Sequence, residues 1–414
     1  MDASTKLLAA GSVGALAAAN ALRPVGPGPL SFPSFAAGAV TSEIPLVHAA
    51  AHGGVAAGLA ARGGLRSPRG LVGLGLTGVA CAGAFALHRE AGGTESELER
   101  ALVDALGPGY RNRIVLPPRP EEGREKVSRM PVLLATFSSR RRYLRDEDVP
   151  YGPCGRRNQL DVWARPDLPP DAVAPVVLQV HGGAWVWGSK TGQAYPLLSH
   201  LVERGWICVA ANYRLSPRST WPDQLVDVKR ALAWVKENIA GYGGDPGFVA
   251  VTGGSAGGHL SALTALTAGD PAFQPGFEDA DTTVQAAVCF YGVYDWTGTR
   301  AVRPDMVPFL ERDVVKRPLA SHREVFVRAS PVERVHAAAP PFFLLHGDRD
   351  VLAPVAQARS FAGRLRATSR APVAYAELHG AHHAFDVLSS TRTAHAVQAV
   401  ERFLGAVHGL HQAP

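Results

Sequence analysis

The chain has 414 residues, 46% hydrophobic and 19% charged, which is apolar enough to bury a sizeable core and argues against disorder. Its net charge of +6 is nearly all arginine, since only six of 42 basic residues are lysine, and no aromatic-interleaved basic stripe accompanies it, so no nucleic-acid partner is expected. The cysteines at 81, 154, 208 and 289 have no paired spacing, which argues against a disulfide framework or a zinc site.

Residues 1–90 hold three apolar stretches, 7–22 (LLAAGSVGALAAANAL), 44–61 and 70–87, each about as long as a membrane span. Their Ala and Gly content makes them weak on an insertion scale, which leaves the second open to an interfacial or re-entrant role and the first to a cleaved signal peptide. We read 1–90 as a membrane-anchoring region of two or three helices. The loop with Arg62, Arg66 and Arg69 is expected on the cytoplasmic side; three spans then put the rest of the chain outside the cytoplasm, which is favoured, and two put it inside.

Residues 91–150 read as a linker. Within them 95–106 (ESELERALVDAL) predicts a short amphipathic helix, and 107–128 is a connecting segment rich in Pro, Gly and charge. Arg140, Arg141, Arg142 and Arg145 follow, suited either to anionic lipid head groups or to a solvated helix face.

From Gln159 onward, short apolar runs alternate with segments of helical period, predicting an α/β fold: a mostly parallel sheet with helices on both faces. Strands are expected at 160–164, 176–180, 207–212, 248–252, 286–291, 342–346 and 373–378. Leu225, Val228, Leu232, Val235 and Ile239 form one apolar helix face that stops before Gly241. This α/β domain is placed at 151–414.

After the fourth strand comes GGSAGG. A serine on a strand-to-helix turn stands at the carboxyl edge of the sheet, and Gly253 and Gly257 let strand and helix approach closely. Ser255 needs a base to take its proton and an acid to orient that base. HGDRD and HGAHHAF follow later strands, so Asp350 and His383 are expected at the same edge. The loop QVHGGAW, after an earlier strand, supplies backbone donors at Gly183 and Ala184, with Ala256 following the serine.

HGGAW, ANYRLSP, GGSAGG, HGDRD and HHAF together resemble the hormone-sensitive-lipase-like carboxylesterases of the α/β-hydrolase fold, in particular bacterial members with an apolar amino-terminal region. The resemblance covers residues 151–404. It implies Ser255 as nucleophile, His383 as general base and acid, Asp350 as its orienting carboxylate, and Gly183, Ala184 and Ala256 as oxyanion donors, with no metal or organic cofactor. Ala184 departs from the family, which usually has a third glycine there. Asp348 and His382 are the runners-up to Asp350 and His383. His181 is expected to shape the oxyanion loop, His259 to pack, and Arg214 and Asp295 to form structural ion pairs. Residues 296–335, with Trp296, Met306, Phe309 and Phe326, are expected to contribute a small cap. The implied function is cleavage of carboxylic esters of short to medium acyl chain, on small-molecule or lipid substrates at a bacterial cell membrane. An amidase, formamidase or glycan deacetylase with the same triad is the alternative within hydrolases, and a non-catalytic binding protein the alternative outside them.

Overall fold

The computed structural model describes residues 1–26, 28–115, 140–300 and 302–412. One eight-stranded sheet runs in the order β1 (Leu144–Pro150), β2 (Gln159–Trp163), β4 (Ile207–Ala211), β3 (Ala174–Val180), β5 (Gly244–Gly254), β6 (Ala286–Phe290), β7 (Phe342–Gly347) and β8 (Val373–Leu378). β2 lies antiparallel to β1 and β4, and all pairs from β4 to β8 are parallel. The α/β-hydrolase arrangement expected from the sequence is thus the one observed.

β3, β4, β6 and β7 are buried end to end and mostly apolar because both faces of the sheet are covered. On one face lie the helices Asp223–Asn238, Ala256–Leu266 and Val355–Thr368, through residues such as Leu225, Leu260 and Phe361. On the other lie Tyr195–Glu203 and Thr391–Gln412, through Leu198 and Phe403, together with Leu98 and Leu102 from the amino-terminal region. The parallel strands deliver the loops after β3, β5, β7 and β8 to one edge.

The sheet starts earlier than the 151 boundary read from the sequence. β1 has the sequence LRDEDVP and is largely exposed, as an edge strand whose charges discourage further pairing. Its strand character is therefore invisible to a search for apolar alternation.

The amino-terminal region forms α1 (Ala3–Leu22), α2 (Ser31–Glu43), α3 (Pro45–Leu59, continued to Gly64 by a wider turn) and α4 (Pro68–Leu106). The third apolar stretch and the short helix expected at 95–106 are one 39-residue helix. The pair Gly92 and Gly93 suggests a break, but both lie on its exposed side while Ala91, Thr94, Leu98 and Leu102 stay buried. Of the connecting segment at 107–128, residues 116–128 lie outside the described residues.

The small residues have a packing purpose. Leu7, Gly11, Gly14, Ala18 and Ala21 of α1 are buried, as are Gly70, Gly73, Thr77, Ala80 and Ala84 of α4. A Cβ on Gly11 would lie 2.2 Å from the Gly73 carbonyl oxygen, so the two backbones meet where a side chain has no room. By length and composition α1 and α4 are each able to cross a membrane; α2 with 45–64, bent by 92°, meets that test only as a pair.

At one end of this bundle Gly64 adjoins Ala3 and Gly70. The other end is bolted to the α/β part of the chain. His382 Nε2 donates to the Ala21 carbonyl at 2.8 Å, Arg349 grips Glu90 at 2.8 and 3.0 Å, and buried Arg392 pairs with buried Glu43.

Candidate active site

Ser255 sits between β5 and the helix Ala256–Leu266 at φ 57° and ψ −120°, a conformation that costs a non-glycine residue of order 1–3 kcal/mol. Its neighbours explain how the turn closes. A Cβ on Gly257 would lie 2.1 Å from the Val180 carbonyl oxygen, and one on Gly253 would lie 2.5 Å from that same atom. The Ser255 amide is held by the Phe290 carbonyl at 3.0 Å.

Asp350 follows β7 and His383 follows β8, and His383 Nδ1 stands 2.6 Å from Asp350 Oδ2. Oδ1 accepts from the amides of Leu352 and Ala353, both at 2.8 Å, and His346 Nε2 approaches Oδ2 at 3.3 Å. Burial by itself would raise the Asp350 carboxyl, but His383 opposite and the hydrogen bonds of His346 and His383 outweigh it and hold the group far below the ordinary carboxylate range. Ser255 and His383 line one cavity of about 860 Å³.

The loop after β3 reaches the same cavity. Gly183, Ala184 and Trp185 run at φ 126°, 49° and 62°, and a Cβ on Gly183 would lie 2.2 Å from the Trp187 carbonyl oxygen. The amides of Gly183 and Ala184 have no acceptor among the described residues. Gln193 braces the loop by accepting the Gly182 amide at 2.7 Å.

The runners-up are engaged elsewhere. Asp348 accepts from the Gly380 amide at 2.8 Å and faces His379 Nδ1 at 2.7 Å. His382 is the residue tied to Ala21, and burial pushes its pKa down. His181 stacks on Tyr213 and hydrogen-bonds the Gly182 carbonyl; burial pushes it down to about 4, so it is neutral at pH 7. His259 is pushed down to about 3 by burial, accepts from Trp185 Nε1 at 3.1 Å and stacks on Trp296. It packs, as expected, and it also steadies the strained loop. Arg214 forks onto Asp227, while Asp295 accepts from Thr297 and Arg300 and lies 3.9 Å from the Arg300 guanidinium. Of the arginine cluster, Arg140 pairs with Glu147 and Asp161, and Arg142 lies over the Tyr143 ring.

Three features escape a reading of the sequence. Gln193 braces the loop from eleven residues downstream of Gly182. Phe32, Phe35, Ala36, Ala39 and Val40 of α2 line the cavity, and Phe35 meets the His383 ring edge-on at 5.7 Å. Tyr291, at the end of β6, packs 4.5 Å from the His383 ring and donates its hydroxyl to buried Asp386. A carboxylate three residues after the histidine of HHAF is the one sequence signal that points to the last of these.

Burial raises Asp386 to about 6, against about 4 in an unfolded chain. Between those values the folded state holds a proton that the unfolded state has lost, so stability falls as pH rises through the window, by up to about 3 kcal/mol. Asp386→Asn keeps the acceptor for Tyr291 and abolishes the titration. The expected result is a wild-type melting temperature that drops relative to the variant's between pH 4.5 and pH 7; parallel profiles would reject it.

A family model described as BD-FAE matches residues 160–365. The chain is 49% identical to the Mycobacterium tuberculosis protein described as "Probable carboxylic ester hydrolase LipM" over 409 residues, 98% of this chain and 94% of that one. It is 52% identical to esterase LipQ of the same organism over 313 residues, covering 75% and 74% of the two chains. Among solved structures, the butyrate-bound thermophilic esterase Est2 of Thermogutta terrifontis superposes with a TM-score of 0.50 at 25% identity, over 58% of this chain and 84% of that one. A sheet of this order, a serine on its central turn and half identity along nearly the whole length lead to one assignment: the chain belongs to the hormone-sensitive-lipase-like carboxylesterases of the α/β-hydrolase fold and is a carboxylic ester hydrolase.

Proposed function

We propose that Ser255 is the nucleophile, His383 the general base and then acid, and Asp350 the carboxylate that orients it. The observation that carries this reading is the 2.6 Å Asp350–His383 contact in the cavity where Ser255 is presented on its strained turn. Asp350 fixes the proton of His383 on Nδ1, which leaves Nε2 to take the hydroxyl proton as Ser255 Oγ attacks the ester carbonyl. The amides of Gly183, Ala184 and Ala256 stabilise the oxyanion. His383 returns the proton to the departing alcohol, an acyl-serine forms, and water activated by the same histidine releases the acid. The mechanism asks nothing of a metal or organic cofactor.

The cavity walls are largely apolar, so we assign an apolar acyl group as the recognised part of the ester; Met306 and Phe309, from the insertion at 296–335, act as a cap beside it. The test is fluorophosphonate labelling of the full-length protein followed by a panel of p-nitrophenyl esters and matched amides. Labelling at Ser255 with ester turnover is expected; amide turnover without ester turnover would replace the reading by an amidase.

We also propose that α1, residues 45–64 and the first half of α4 cross the membrane, anchoring the 151–414 catalytic domain through 1–90. All three segments run between the bolted end of the bundle and the end that holds Arg62, Arg66, Arg69 and Lys6. The positive-inside rule puts that end in the cytoplasm and the catalytic domain outside it. Alkaline phosphatase fused after residue 414 should therefore be active in cells, and an inactive phosphatase paired with a fluorescent green fluorescent protein fusion would reverse the orientation.

A further inference from the structure

We infer that the substrate is a lipid ester that enters the cavity sideways from the bilayer, across α2. This rests on the serine-hydrolase and membrane readings above and adds the route and the class of substrate.

α2 lies where the apolar bundle meets the catalytic domain. Its carboxyl end is locked there: Glu43 takes Arg392 and the Ser390 hydroxyl, and Ser42 donates to the Gly380 carbonyl. Along its length Phe35, Ala36 and Ala39 face the cavity. Phe32 and Val40 line the same cavity yet are 58% and 51% exposed, so they belong to the inner wall and to the outer surface together. Trp187, on the oxyanion loop, joins them as a cavity residue 57% exposed.

The bundle that α2 joins also carries exposed apolar side chains. Val13 and Leu16 of α1 and Leu71, Val79 and Phe85 of α4 are exposed large apolar side chains. A patch of this extent on helices long enough to span a membrane calls for lipid as its occupant. Exposed apolar side chains thus occur both on the helices read as membrane spans and, through Phe32, Val40 and Trp187, at the mouth of the cavity that holds Ser255. An acyl chain that passes from the bilayer over such side chains exposes fewer methylenes to water than one that arrives through solvent. The insertion brings Arg303 and Asp305, paired with each other, to the same cavity, which gives the alcohol portion of such an ester a polar place to lie. The substrate class is thus a carboxylic ester with a bilayer-length acyl chain and a polar alcohol part, longer than the short to medium chains the sequence suggests.

The test uses full-length protein in vesicles of diether phosphatidylcholine, a host without carboxylic esters. 4-Methylumbelliferyl oleate is the membrane probe, the butyrate the soluble one, and a fluorophosphonate reports on Ser255. At fixed mole fraction of oleate in the vesicle, tenfold dilution of the suspension should change the wild-type turnover per enzyme less than twofold. Phe32→Glu and Val40→Glu should each lower the oleate-to-butyrate ratio of kcat/KM at least tenfold. Turnover that falls in proportion to dilution, or an unchanged ratio in both variants, overturns lateral entry. If the variants fail to fold, the dilution result on wild type decides alone. Wild-type Ser255 that labels alongside either overturning result leaves the serine hydrolase standing, and wild-type Ser255 that never labels removes it.

Discussion

Ser255→Ala is expected to reduce kcat for p-nitrophenyl butyrate by at least about a thousandfold in the full-length protein, with fluorophosphonate labelling lost. The methyl group fits the strained turn at no extra steric cost, because the φ of 57° already accommodates a Cβ and the amide bond to Phe290 uses only backbone atoms. The Asp350–His383 pair and the free amides of Gly183 and Ala184 remain in place. On the proposed mechanism what disappears is the atom that forms the acyl-enzyme, so residual activity would reflect water attack in a preorganised cavity. A variant retaining a tenth of wild-type turnover would transfer the nucleophile to another residue.

Asp350→Asn should cost about a thousand- to ten-thousandfold in kcat by a different route, with little change in KM. The amide that replaces Oδ2 donates where the carboxylate accepted, so His383 turns its Nδ1 lone pair to it and carries its proton on the nitrogen meant to serve as base. Asp348→Asn is the matched control, since Asp348 is occupied by His379 and the Gly380 amide, and should fall by less than threefold. Equal losses in the two variants would reject Asp350 as the orienting carboxylate. Ionised Asp350 also supports the fold. Its folded pKa is depressed, so that contribution is complete above the unfolded value of about 4 and is lost only as pH falls through the lower folded value.

The parts of this protein that can be read along the chain are those whose physics is local. β3 to β7 announce themselves as largely apolar runs because their centres are buried on both faces. GGSAGG does so because the tight turn at Ser255 excludes side chains at Gly253 and Gly257. Asp350 and His383 are legible for a related reason: parallel strands deposit their following loops on one edge, so chain order already implies proximity. β1 fails the same reading because an exposed edge strand wears charge. α4 is misread as two helices because Gly92 and Gly93 weaken a helix locally, while the contacts that carry it through, at Leu98 and Leu102, are made to the far face of the sheet. The role of α2 is the least legible, because the interactions that seat it join residues 338 to 350 positions apart.

That separation gives the protein an order of assembly. A chain made from its amino terminus carries Phe32 and Phe35 almost from the start. Yet His383, Ser390 and Arg392, which Phe35 and Glu43 meet, are among its last forty residues. The contacts that finish the cavity thus have the longest loops to close and come at the end of synthesis. A chain that has not reached its last forty residues lacks the partners of Phe35 and Glu43 that hold the α2 wall of the cavity. Completion of the polypeptide and seating of α2 therefore go together in finishing the cavity.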